Sequence, residues 1–291
     1  MKFLRFLLLL GVIGLALAWF LTRPQTLPED YLAGLKPNTE HGETVFWAAG
    51  CASCHAAPKS TGDDKLVLSG GYRIESDFGT FVAPNISPSD AGIAGWSALD
   101  LANALKEGVS PDGKHLYPSF PYTTYVNMTP QDIVDLKSFL DTLPPSDEES
   151  APHELGFPFN MRRGLGLWKM VNLKEGWVLE NAETPQIERG RYLVEALGHC
   201  AECHTPRDIT GGLDHANWMG GAPNPSGKGN IPAIAPDKLD WSAPDIAYYL
   251  ETGFTPEFDS AGGAMASVVE GLAKISPEDR EAIAAYLKAL P

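Results

Sequence analysis

Four cysteines and two histidines carry the chemistry that this sequence offers. Cys51-Ala52-Ser53-Cys54-His55 recurs as Cys200-Ala201-Glu202-Cys203-His204. A Cys-x-x-Cys-His run reads as a c-type haem attachment site. Two intervening residues make one helical turn, so both sulfurs reach the same porphyrin edge and can add across its two vinyl groups. The next residue, His55 or His204, then lies where its imidazole can bind the iron from one side. Two other chemistries use the same thiols. Four thiolates could hold one zinc ion, but that leaves both histidines without a reason and joins sites in different halves of the chain. A thioredoxin-like dithiol belongs in a βαβ context, which neither motif has. All four cysteines are used in the motifs, so none remains for a disulfide or as a second iron ligand.

The elements that must position these motifs also come in pairs. A helix is predicted from Asn38 or Thr39 into Cys51, with Gly42, Val45, Phe46 and Ala49 on one face. Its counterpart starts at Thr184-Pro185, a cap followed by proline at the first helical position. Gly190, Leu193, Val194 and Leu197 form its face, and it runs into Cys200. A glycine early in each helix, Gly42 or Gly190, permits close crossing by another helix. After each motif comes a glycine pair, Gly70-Gly71 or Gly220-Gly221, then Pro84-Asn85-Ile86-Ser87-Pro88 or Pro232-Ala233-Ile234-Ala235-Pro236. Trp96-Ser97-Ala98-Leu99-Asp100 is matched by Trp241-Ser242-Ala243-Pro244-Asp245. The serines are expected N-caps, with Asp100 and Asp245 completing capping-box starts. Each half closes with an amphipathic helix, one from Thr129-Pro130 and one from Ser276-Pro277. Five signals recurring in one order define an internal repeat. No segment alternates over a strand length, so the expected fold class is all-α.

At 291 residues the chain has room for about two domains. The expected boundaries are a signal peptide or membrane anchor at 1–23, domains at 38–145 and 184–291, and a linker at 146–183. Lys2 and Arg5 precede an uncharged run from Phe6 to Leu21. Its sixteen residues cover about 24 Å as a helix. With Phe3 and Leu4 included and Arg5 snorkelling, the segment could span a bilayer. Ala16-Leu17-Ala18 resembles a cleavage site, whereas Trp19 and Phe20 suit an interfacial belt and favour an uncleaved anchor. Either way the positive end stays in the cytoplasm and the rest of the chain is expected to be exported, which suits the motif, since c-type haem is attached outside the cytoplasm in bacteria. The net charge is −15, and residues 1–23 hold three cations and no acid. This argues against nucleic-acid binding and for basic or neutral docking partners; the same acidity also serves solubility. Within the linker, Phe157 to Val178 is too apolar to be free and is expected to pack against the domains or offer a partner surface.

These residues resemble the multihaem cytochrome c subunits of membrane-bound bacterial dehydrogenases and their dihaem relatives. The resemblance rests on Phe78-Gly79-Thr80-Phe81, Pro84-Asn85-Ile86, Asp112 to Pro118, Pro121-Tyr122, Cys200 to Arg207, and Ala282 to Lys288. It covers nearly everything after residue 38. It implies two tandem class I cytochrome c domains, two covalently bound haem c groups and periplasmic electron transfer. Many relatives have three haems, where this chain has motifs for two. Implied partners are a periplasmic or membrane dehydrogenase and a downstream cytochrome or oxidase.

Electron transfer favours a six-coordinate iron, usually held by His plus Met. Of six methionines, Met1 is the start. Met265, in a Gly262-Gly263-Ala264 loop before the closing helix, stands where a class I cytochrome places its ligand. The aligned position in the first half is Phe120, in a Phe-Pro-Tyr run where many relatives have Met-Pro-Tyr. Met128 is the expected substitute, with His115 or an open iron as alternatives. Met161, Met170 and Met219 are expected to pack. The indoles of Trp96 and Trp241 could donate to a haem propionate or fill the core. Arg207 could pair with a propionate or a surface acid. His41, His153 and His215 have no motif and are expected at the surface, and His199 should point away from the iron of His204. The leading function is an electron carrier or electron-transfer subunit. A different class, a dihaem peroxidase-like enzyme, would need the first iron open, which Phe120 makes conceivable.

Two covalent haems per chain are expected. After denaturing electrophoresis the band should keep peroxidase-type haem staining. Complete transfer of haem into acidified organic solvent would contradict this.

Overall fold

A computed structural model describes residues 2–225, 227 and 229–291; Met1, Ser226 and Lys228 lie outside the described residues. Helix α1 (Lys2–Leu21) is apolar and no residue in it is buried. By length and composition it could cross a membrane. The first half contains α2 (Thr39–Ala48), α3 (Cys51–His55), α4 (Ala98–Ala102), α5 (Tyr122–Tyr125) and α6 (Pro130–Leu140). The segment between the halves holds α7 (Leu165–Asn172). The second half contains α8 (Pro185–Tyr192), α9 (Ala201–His204), α10 (Ala243–Thr252), α11 (Ala264–Leu272) and α12 (Pro277–Ala289).

The expected all-α class is wrong. The chain is 44% helical with 7% strand among its described residues. A three-stranded antiparallel sheet orders β1 (Arg73–Ser76), β2 (Gly79–Val82) and β3 (Glu154–Leu155), and β4 (Ala222–Pro223) pairs with β5 (Asn230–Ile231). Strands of two to four residues are too short to show alternation. The third strand also comes from the linker, with Thr80 opposite Glu154. Gly79 makes that pairing possible. Its φ is +120°, and a Cβ there would lie 2.3 Å from the Glu154 carbonyl oxygen.

The helix starts follow their local chemistry. Asn38 caps α2, and Thr129, Thr184 and Ser276 cap α6, α8 and α12, each of these three with proline opening the helix. Both expected capping boxes form, Ser97 with Asp100 and Ser242 with Asp245. The two principal crossings are α2 on α6 and α8 on α12, and both use the predicted glycines. A Cβ at Gly42 would lie 2.0 Å from the Asp135 carbonyl oxygen, and one at Gly190 would lie 1.9 Å from that of Ala282. Only a hydrogen fits there, so each crossing is as close as two backbones allow. Val45, Phe46, Ile133 and Leu136 fill one core, and Leu193, Leu197, Ile283 and Tyr286 the other; the two are continuous.

One departure from the repeat has a structural origin. Cys200 follows Gly190 by one residue more than Cys51 follows Gly42. The extra residue is absorbed by a π-helical turn, Leu193–Leu197, that continues α8. Gly198 donates to the Leu193 carbonyl at 2.7 Å, closing this wider turn. A π turn is how a helix takes up one residue without losing its later phase. As a result the left-handed residue before each motif is Gly50 in the first half (φ +63°) and His199 in the second (φ +38°).

Gly190→Ala should lower stability by roughly 2 kcal/mol or more, because overpacking a tight site forces backbone shifts. Gly95→Ala should be near neutral, since nothing lies within 4 Å of that Cβ. Thermal melts of the two variants check this; equal Tm values would mean that the α8–α12 crossing is not tight.

Candidate haem sites

Each Cys-x-x-Cys-His run forms a short helix at the end of its crossing helix, turned out of line by the left-handed residue before it. All three donors of the first site lie on α3, and Cys51, Cys54 and His55 are each half-buried. In the second site Cys200 and His204 are half-buried and Cys203 is exposed. The His55 Nδ1–H donates to the Pro84 carbonyl at 2.9 Å, and the His204 Nδ1–H donates to the Pro232 carbonyl at 2.7 Å. This fixes the tautomer and leaves Nε2 with its lone pair as the metal-binding atom. Burial pushes both imidazoles down from their ordinary pKa, against the opposing hydrogen bond to the carbonyl, so they are neutral donors at pH 7.

The repeated glycine pairs explain how those carbonyls arrive. Gly70 donates to the His55 carbonyl at 2.7 Å, and Gly221 does the same for His204 at 2.8 Å. Both glycines have positive φ, +76° and +83°. A Cβ at Gly70 would lie 2.5 Å from the Pro84 carbonyl carbon, and one at Gly221 would lie 2.9 Å from the Ala233 amide. The glycine thus lets the proline strand pass directly over the end of the motif helix. The signals were visible in the sequence; their role in orienting the histidine was not.

The donor sets fit covalently held haem better than the two alternatives. Among the described residues, only His41, Asp132 and Asp135 bring three potential metal-ligand atoms within 4.8 Å of one another, so the cysteines form no four-thiolate zinc cluster. Burial pushes the Cys51 and Cys200 thiols up to about 12 and Cys54 to about 11. A redox dithiol needs a depressed thiol pKa.

The two motif helices meet at one seam between the halves. A Cβ at Gly50 would lie 3.5 Å from His199 Nε2. His199 packs edge-on against Tyr125, with ring centroids 5.9 Å apart, and the Tyr125 hydroxyl donates to the Ala49 carbonyl at 3.0 Å. Thr123 donates to the Glu202 carboxylate at 3.1 Å. His199 thus packs at the seam, against Gly50 and Tyr125 of the first half.

The other candidate residues sort as follows. Met128 is 1% exposed and lies in the core of the first half. The ammonium of buried Lys106 holds its carbonyl at 3.1 Å and also takes the Val126 carbonyl. Met265 is half-buried and packs against the core of the second half. It stands inside α11 rather than in a loop, because the helix begins directly after Gly263. His115 has both ring nitrogens engaged: Nε2–H donates to the Thr22 carbonyl at 2.9 Å, and Nδ1 accepts from the Lys169 ammonium at 3.0 Å. It has no lone pair left for iron. Phe120 tilts against Tyr125. Met219 packs fully buried, while Met161 and Met170 are exposed. Trp96 and Trp241 are half-buried beside the core. Arg207 pairs at 2.6 Å with Glu202, a half-buried acid at the seam rather than one at the surface. His215 is exposed. His153 is not a plain surface residue: it accepts from the Val82 amide at 3.1 Å and packs on Phe81 and Tyr117. His41 is half-buried and joined to Asp135 at 2.9 Å.

The chain belongs to the cytochrome c family, whose model matches residues 39–144 and again 187–291. It is 57% identical to the diheme cytochrome c-type protein of Cereibacter sphaeroides over 98% of this chain and 96% of that one. It is 34% identical to the fructose dehydrogenase cytochrome subunit of Gluconobacter japonicus, over 88% of this chain and 53% of that subunit. It is 30% identical to the cytochrome c subunit of the quinone-type alcohol dehydrogenase of Gluconobacter oxydans, over 87% of this chain and 54% of that one. The chain thus spans nearly all of the first relative and about half of the two dehydrogenase subunits. It is a dihaem c-type cytochrome with two covalently bound haem c groups, and it transfers electrons.

Proposed function

We propose that residues 38–145 and 184–291 are two haem domains joined by the linker 146–183. Cys51 and Cys54 carry one haem and Cys200 and Cys203 the other, with His55 and His204 as proximal iron ligands. Bound haem supplies reversible one-electron chemistry at its iron. The chain's own residues hold each imidazole in one tautomer, exclude water from the buried side and supply the distal donors, Met128 and Met265. In this reading electrons come from a membrane-bound dehydrogenase and leave to a downstream cytochrome or oxidase. The site of action is the periplasmic side of the bacterial inner membrane, with α1 as an uncleaved anchor.

The observation that carries this reading is the duplicated histidine–proline carbonyl contact, built in each half with one glycine of a glycine pair, Gly70 or Gly221. Two sites of one design, meeting at a seam, suit a relay better than a catalyst and its helper. The distal assignment rests on burial and on elimination. Met128 sits in the core of its half with its backbone clamped by Lys106. His115 is fully occupied by Thr22 and Lys169.

Carbon monoxide titration of the reduced protein tests the assignment. Wild type and His115→Ala should bind poorly at both haems. Met128→Leu and Met265→Leu should each open one iron, with the covalent haem retained. Ready binding at one haem of the wild type, unchanged by Met128→Leu, would refute Met128 and favour a peroxidase-like enzyme with an open first iron.

A further inference from the structure

The linker holds a basic, apolar collar around the end of α1. Residues 157–174 contain Arg162, Arg163, Lys169 and Lys174 and no acid, in a chain with 37 acidic residues. Within the same stretch Phe157, Phe159, Met161, Leu167, Met170 and Val171 are all exposed; Phe157 is 80% exposed and Met170 58%. Helix α7 divides its faces by period. Its inner face places Gly166 and Lys169 in buried positions. Lys169 donates to the Glu107 and Gly108 carbonyls, and Trp168 donates to the Thr210 carbonyl at 3.0 Å. Leu167, Met170 and Val171 are left on the outer face. The inner face thus explains how α7 is held, but not why its outer face is apolar.

The collar packs against the end of α1. Thr22, immediately after α1, is only 5% exposed. A Cβ at Gly166 would lie 2.5 Å from the Thr22 carbonyl oxygen, so α7 lies directly on that backbone. Arg163 Nε donates to Thr22 Oγ1 at 2.9 Å, its guanidinium lies 4.0 Å over the Trp19 ring, and it also donates to the Trp19 carbonyl. His115 and Lys169 close the other side of Thr22. A helix of 20 residues spans about 30 Å, the thickness of a hydrocarbon core. When it is inserted, Trp19 and Phe20 lie at headgroup depth, and so does whatever packs against residues 19–22. Arg23, stacked on Phe20, adds a further cation at this level.

We propose that residues 157–174 form a membrane-surface element. The outer face of α7 and the preceding Phe157–Met161 turn dip into the lipid interface, and Arg23 and Lys174 meet anionic headgroups, while Arg162 stays on the His115 carbonyl and the Tyr117 ring and Arg163 on Thr22 and Trp19. A helix with one apolar face and neighbouring cations binds in that plane. The element and the anchor together clamp the haem-bearing body in one orientation, instead of leaving it on a flexible tether. This rests on reading α1 as an uncleaved anchor.

The test uses full-length haem-loaded protein in vesicles of phosphatidylethanolamine and phosphatidylglycerol, with a nitroxide on Leu167→Cys or on Phe157→Cys. Both labels should be reached by oxygen but shielded from a water-soluble nickel chelate, with accessibility to the chelate about tenfold below that of free label. Intact mass gives the state of α1 in the same sample. A chain that keeps α1 but leaves both labels open to the chelate would overturn the proposal, and would leave this face to a protein partner. A chain lacking α1 whose labels still insert would refute the anchor alone. A chain lacking α1 with water-exposed labels would refute both.

Discussion

The hydrogen bond from the proximal histidine to a proline carbonyl is the constraint on which each half depends. An imidazole on a short helix is free to choose its tautomer and to swing about its side-chain torsions. The carbonyl of Pro84 or Pro232 removes that freedom and leaves Nε2 as the metal-binding nitrogen. The carbonyl can arrive only because Gly70 and Gly221 take positive φ and carry no Cβ, so the proline strand passes within contact of the motif. The crossing helices come next in the hierarchy. Gly42 and Gly190 bring α6 and α12 against the helices that lead into the motifs, so the motif sits on a rigid platform rather than on a loop.

The two halves are more than beads on a string. The Tyr125–Ala49 hydrogen bond, the Tyr125–His199 ring contact and the Thr123–Glu202 hydrogen bond all lie at the seam beside the two motifs. Tyr192 adds another tie by donating to Asp132 and accepting from the Thr129 amide. Beside these contacts the apolar residues of the two halves form one continuous core. A relay between two haems requires a fixed relation between their sites, and a packed seam supplies it without moving parts. The same reasoning extends to α1, whose exit is stapled to the body through Thr22 by Arg163 and His115.

The features legible in the sequence were those that local chemistry decides. Caps at Asn38, Ser97, Thr129, Thr184, Ser242 and Ser276 mark helix starts because a side chain must satisfy nearby N–H groups. The crossing glycines and the paired motifs were visible because they recur. Much of what escaped depends on distant partners. Of the strands that overturned the all-α expectation, the β1–β2 and β4–β5 hairpins are local but too short to show alternation, and only the third strand, where Glu154 of the linker reaches Thr80, depends on a distant partner. Helix α7 begins after Gly164, which offers no side-chain cap. His153 took its role from Val82, Phe81 and Tyr117, all far from it in the chain. The π turn at Leu193–Leu197 left only a one-residue slip between the crossing glycine and the first cysteine of the two halves. Met265 illustrates a smaller error: Gly262-Gly263 reads as a loop, yet the helix starts one residue later.

The most direct measurement of the central claim, that one seam holds two like haem sites in a fixed relation, is electron spin relaxation of the oxidised protein. It is followed through a redox titration. The expected result is that each ferric iron relaxes faster while the other is also ferric, and slows when its neighbour is reduced. Two ferric signals whose relaxation and midpoint potentials are indifferent to each other's oxidation state would contradict it, and would mean that the seam does not couple the sites.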